Sequence, residues 1–140
     1  QIKQTEGDAY MGKIKIKFEK GGIFDVILNE KAPKTCKAFV AALPYEGTVL
    51  QARFSGTECF FYMALGVEPE NLVIPQAGNL SFNSDHEQAV CIYYDSNIHA
   101  ADPPYNQFAS LKGDRELLAN IGLRIWHEGQ EKVKIWITED

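Results

Sequence analysis

Lys13–Pro44 reads KIKIKFEKGGIFDVILNEKAPKTCKAFVAALP, and this stretch decides the fold. Its first run alternates strictly. Ile14, Ile16 and Phe18 fall on one side of an extended chain, with Lys13, Lys15 and Lys17 on the other, the two-residue period of a half-buried strand. Gly21-Gly22 suits a tight turn with positive φ, and Ile23–Leu28 returns with Phe24, Val26 and Leu28 on one face. The lysine row reads as a solvated face that discourages edge-to-edge pairing.

After Leu28 the period changes. Cys36, Phe39, Val40 and Leu43 follow the i, i+3, i+4, i+7 spacing of one helical face. Pro33 fits the first helical turn, where its missing N–H costs nothing, and Pro44 ends the helix. A helix of about three turns is marginal alone, so its apolar face is expected against a sheet.

Outward from this unit, Thr48–Phe54 reads as a strand with Leu50, Ala52 and Phe54 on one face and Val49, Gln51 and Arg53 on the other. After a Ser55-Gly56-Thr57 turn, Glu58–Met63 sets Cys59, Phe61 and Met63 opposite Glu58, Phe60 and Tyr62. Apolar groups on both faces imply that both are covered. Leu72–Ile74, Asn79–Phe82, Ala89–Tyr94 and Phe108–Leu111 are further strands, with Asp95–Asn106 a long loop. Asp114 caps a short helix running through Asn120, with Leu117, Leu118 and Ile121 inward and Gly122 as its stop. Leu123–Trp126 and Lys132–Thr138 form a final hairpin. Many short strands separated by turns favour a barrel, whose closure removes edges. The expected fold is mainly β: a closed β-barrel of about eight strands with two short helices capping its ends. Residues 1–12 are expected as a flexible N-terminal arm, or as sequence upstream of a start at Met11, and 13–140 as one barrel domain.

The chain has 140 residues and a net charge of -5, from 14 basic and 19 acidic side chains. That balance argues against nucleic acid as a partner, because phosphate-backbone binding needs a basic surface. No apolar run approaches the roughly 20 residues of a membrane span. Cys36, Cys59 and Cys91 are odd in number and sit in apolar runs, so they are expected as small buried hydrophobes, and a reducing cytoplasm fits. His86 and His99 lie in loops without converging ligands, and His127 at a turn, so no metal is expected. No phosphate-binding or dinucleotide glycine pattern occurs, and no cofactor is expected.

The chain resembles the cyclophilins over Lys13–Leu43: hairpin, then Ala32-Pro33-Lys34-Thr35 opening a helix with Phe39 and Leu43. Ala77-Gly78-Asn79-Leu80, and Asn106–Leu111 followed by Asp114–Ile121, resemble later elements of that fold. It more closely resembles a small prokaryotic family of cyclophilin-like proteins of uncertain function, through Leu43-Pro44, Phe54-Ser55-Gly56 and Glu58. The resemblance implies an eight-stranded closed barrel. Cyclophilins set an arginine against the twisting prolyl amide, and Arg53 is the one counterpart. The segment that follows it in that family has no match in Ser55–Met63.

Arg53 has two compatible readings: an ion pair with Glu58 across the turn, and a planar fork for a ligand's carboxylate or carbonyl. The candidate ligand-binding set is Arg53, Phe54, Glu58, Tyr62, His99 and Asn106. Aromatics in such a strand are mostly core, yet ligand sites are also largely apolar with few polar anchors. Three functions stay open. One is binding or processing of a small anionic or carbonyl-bearing ligand in a barrel-mouth pocket around Arg53. Another is a peptidyl-prolyl isomerase with a remodelled site, with Arg53 its sole catalytic candidate. The third is a homo-oligomeric interaction module using Asp95–Asn106 and Trp136.

Overall fold

The computed structural model describes residues 13–52, 56–85, 87–98 and 105–139. The proposed arm lies outside them, as do Arg53, Phe54, His86 and His99. The element order is β1 (Ile14–Phe18), β2 (Ile23–Leu28), α1 (Pro33–Ala41), β3 (Tyr45–Gln51), β4 (Gly56–Tyr62), β5 (Leu72–Val73) and β6 (Asn79–Asn83). Then come β7 (Ala89–Ile98), β8 (Tyr105–Lys112), α2 (Arg115–Glu128) and β9 (Glu131–Ile137).

Eight strands run in the order β2-β1-β9-β3-β4-β7-β6-β8, and the β2–β8 pairing closes the ring. Every pairing is antiparallel. The two-residue β5 joins β8 at Asn106 and Tyr105, beyond the end of β2 on the same edge. The fold is the expected mainly β closed barrel with two helices.

The alternation of β1 sets the lumen. Ile14 pairs with Val26 and Ile137, Ile16 with Phe24 and Ile135, and Phe18 with Val133, and all of these except Ile137 are fully buried. A barrel of eight strands is just wide enough for side chains to fill. Phe61, Leu80, Phe82, Ile92 and Phe108 complete the filling from the other strands. Helix α1 plugs the wall at β8, where the Phe39 and Phe108 rings meet at 5.1 Å. Helix α2 packs on β3, β4 and β7 through Leu118, Ile121, Gly122 and Ile125.

Three expectations change. Helix α2 does not stop at Gly122 but continues to Glu128, so Leu123–Trp126 is helix rather than strand. Gly122 is there because a Cβ would run into the ring of Tyr94; the stop is Gly129, at φ 98°. Strand β7 extends to Ile98, four residues into the stretch expected as loop. Finally, β1 is paired on both sides, so its lysines protect no edge.

Candidate functional site on the outer wall

In β4, Cys59 and Phe61 point into the core, while Glu58, Phe60 and Tyr62 face outward. The same alternation in β7 sends Val90, Ile92 and Tyr94 inward and leaves Ala89, Cys91 and Tyr93 outside the core cluster. An outer wall is ordinarily solvated, yet here it is covered. Glu58 is 4% exposed, Cys91 6%, and Tyr93 and Ser81 0%.

The register brings these side chains into a belt across four strands. Glu58 pairs with Tyr93 and Phe60 with Cys91. Cys91 pairs with Ser81, and Ser81 with Gln107 of β8. The Ser81 and Tyr93 hydroxyls lie 3.2 Å apart. The Cys91 thiol is in electrostatic contact with the Glu58 carboxylate and with Ser81. Gln107 Oε1 accepts from Asn29 Nδ2 at 2.6 Å and from Asn71 Nδ2 at 3.2 Å.

Two irregularities border the belt. The β4–β7 register shifts between Gly56 and Glu58, and the β6–β8 register shifts between Leu80 and Ser81. Bulges re-aim side chains and are over-represented next to active sites. The first is tied down by the Thr57 hydroxyl, 2.9 Å from the Asp95 carbonyl and 3.0 Å from that of Asn97.

Burial pushes the Cys91 thiol well above its ordinary range, and the Glu58 carboxylate pushes it further, against a smaller opposing effect of Ser81. The Tyr93 phenol is raised by burial, then by Cys91 and Glu58. Cys59, on the inner face, is raised by burial and by Glu58 and Glu131. Both the Cys91 thiol and the Tyr93 phenol therefore stay protonated at neutral pH. They can donate hydrogen bonds, but Cys91 is not a thiolate nucleophile. Such donors suit an oxygen acceptor on a ligand.

Among the sequence candidates, Glu58 and Tyr62 share the outer face of β4. Phe60 lies between them, its ring 5.4 Å from that of Tyr62. Tyr62 is 53% exposed, so the outer face of β4 runs from a buried carboxylate to an exposed aromatic pair. Asn106 lies elsewhere, with its side chain turned toward α1. Its Nδ2 donates to Thr35 Oγ1 at 3.1 Å, and its Oδ1 accepts from the Glu70 and Asn71 amides at 3.1 and 3.0 Å. There it fixes a clasp: Glu70 Oε1 accepts from the amide and hydroxyl of Thr35, each at 2.8 Å, and Oε2 from the Lys34 amide at 3.0 Å. Sequence reasoning passed over Ser81, Cys91 and Tyr93. The available signal was AVCIYY itself, apolar on both alternating faces as ECFFYM is. Among the described residues no group of histidine, cysteine and carboxylate side chains could hold a metal ion.

The family model described as "Protein of unknown function (DUF3830)" matches residues 19–137. Comparison with curated proteins finds no match. Among solved structures, McbB in complex with tryptophan superposes with a TM-score of 0.78 at 17% identity, covering 91% of this chain and 45% of that one. The chain thus spans less than half the length of McbB. The hypothetical protein AF2241 from Archaeoglobus fulgidus, a solution structure, gives 0.65 at 20% identity, covering 96% of this chain and 100% of that one. At these identities the likeness establishes the barrel fold. No described helix is long and apolar enough to cross a membrane.

Proposed function

This chain belongs to the DUF3830 family, and we propose that it binds a small anionic or carbonyl-bearing ligand on the β4–β7–β6 wall around Arg53 and Glu58. The observation that carries this reading is a carboxylate buried outside the hydrophobic core, paired across strands with Tyr93 and next to the buried Cys91 on the same outer face. Buried carboxylates are costly unless they are paired or functional. Arg53, five residues before Glu58, supplies the fork for the ligand's oxygens. Phe60 and Tyr62 form its apolar ledge, and Phe54 is a further candidate contact. His99, next in sequence after β7, is a further candidate ligand contact; Asn106 acts indirectly, by holding the clasp over α1.

McbB, with the same barrel, was solved holding an amino acid, so amino acids join the ligands worth testing. The experiment is a melting screen with carboxylates, α-keto acids, amides and free amino acids, tryptophan included. A ligand at a hundred times its dissociation constant adds about 2.7 kcal/mol, a rise of roughly 10 °C. At the same ligand concentration a tenfold loss of affinity leaves about 1.4 kcal/mol, so the rise should fall by about half or more in Arg53→Gln and Glu58→Gln. A panel that leaves the melting temperature unmoved would end the proposal.

A further inference from the structure

Strands β1 and β9 are each hydrogen-bonded on both sides within the closed ring. Their outer faces nevertheless carry Lys13, Lys15, Lys17, Lys132 and Lys134, in a chain whose net charge is -5. Lys17 stands directly opposite Lys134, and like charges so placed destabilise a sheet. Edge protection does not explain an arrangement with that cost.

Described carboxylates neutralise part of the row. Lys15 pairs with Asp25 at 2.5 Å, and Lys134 meets Glu46 at 3.8 Å between exposed groups. Lys17 and Lys132 have no ion-pair partner among the described residues. Glu19, beside Lys132, has its Oε1 turned to the Lys132 backbone amide, at 2.9 Å. Lys17, Glu19, Glu46, Lys132 and Lys134 together line a groove of about 370 Å³, within the range of small-molecule sites.

We propose that this groove on the β1–β9–β3 wall is a second binding site, taking a small multivalent anion with phosphoryl or carboxylate groups between Lys17, Lys132 and Lys134. Ammonium groups hold such anions as point charges. Glu46 stands directly opposite Lys134 and Glu19 accepts from the Lys132 amide, so the lining disfavours an extended polyanion more than a compact one. The site shares no residue with the Glu58 wall and stands independently of it.

The test is an NMR titration of the full chain with sodium tripolyphosphate and, separately, trisodium citrate, each against sodium chloride at matched ionic strength. Saturating shifts at the amides of Lys17, Lys132 and Lys134 are expected with at least one anion. Saturation by tripolyphosphate alone identifies a phosphoryl ligand, by citrate alone a carboxylate, and by both a site that reads charge. In a Lys17→Gln/Lys132→Gln variant the affinity should fall at least about tenfold, one charge-assisted contact's worth. Lys17→Gln alone should melt no lower than the parent, because an opposed charge is relieved. Shifts no larger than with chloride, or saturation unchanged in the double variant, overturn the proposal.

Discussion

Removing Arg124 should expose how much of the fold hangs on the joint between α2 and the barrel. Glu131 opens β9 with its side chain 0% exposed, and the Arg124 side chain is 20% exposed. Arg124 Nε donates to Oε1 at 2.8 Å and Nη2 to Oε2 at 2.7 Å. Nη2 also reaches the Gly21 carbonyl at 3.1 Å, and the Lys20 amide donates to Glu131 Oε2 at 3.2 Å. The joint therefore ties α2, β9 and the β1–β2 turn together. In Arg124→Met the carboxylate stays buried with the Lys20 amide alone. Breaking a buried pair this way costs about 3–5 kcal/mol, and the surviving amide places the expected loss near the lower bound, about 3 kcal/mol. At roughly 4 °C per kcal/mol, the melting temperature falls by about 12 °C. Glu131→Met should cost less, because Arg124 can turn toward water. Replacing both by Met should return stability to within about 1 kcal/mol of the parent, since apolar substitutes of similar volume match a buried pair. Urea unfolding of the four proteins gives the coupling energy, expected above about 2 kcal/mol. A single-variant loss under about 1 kcal/mol, or additive losses, would refute the reasoning.

Helix α1 lacks a side-chain cap of its own, because Ala32 sits at its N-cap, and Glu70 supplies one from a distant loop. Glu70→Gln should cost about 1–2 kcal/mol at neutral pH, measured by urea unfolding. Burial raises the Glu70 carboxyl, but the amides of Thr35 and Lys34 and the Thr35 hydroxyl outweigh it and hold it below the usual 4.5. Its folded value lies under its unfolded one, so the contribution is complete above about pH 5 and fades as pH falls through the folded value. The gap between parent and variant should therefore close in acid, and a gap that widens there contradicts the clasp. Gly122→Ala should destabilise by about 1–3 kcal/mol, because the added methyl meets the buried Tyr94 ring, although helix propensity alone favours alanine by about 1 kcal/mol. Thermal melting decides the sign. Cys36, Cys59 and Cys91 are all buried; burial pushes the Cys36 thiol up to about 12 and raises the other two. A thiol reagent at pH 8 should label none of them quickly in the native chain and all three in denaturant.

The β1–β2 hairpin and α1 were legible because each has one buried face, so polarity reports the period directly. The reach of α2 was not. Gly122 carries a local stop signal, overridden by a tertiary contact with Tyr94, a residue distant in sequence. The last four residues of β7, Asp95–Ile98, include three polar ones and read as loop. At the site, Glu58 and Tyr62 could be placed on one face from alternation within β4. The neighbours of Glu58 depend on two register shifts, after Gly56 and after Leu80. A shift in pairing is set by the partner strand, which no local pattern discloses. Asn106 looked like a rim residue because it adjoins a Pro-rich stretch, whereas the β6–β8 bulge turns it inward to Thr35.

The central claim is a ligand held at Arg53 and Glu58, and calorimetric titration of the strongest ligand from the melting screen into the parent and Arg53→Gln tests it most directly. Loss of a charged hydrogen-bond donor costs about 1.5–3 kcal/mol, so single-site binding in the parent should weaken by about tenfold or more. The unliganded variant should melt within about 2 °C of the parent, as expected for a loss of about 0.5 kcal/mol. Equal affinity in the two proteins would contradict the account.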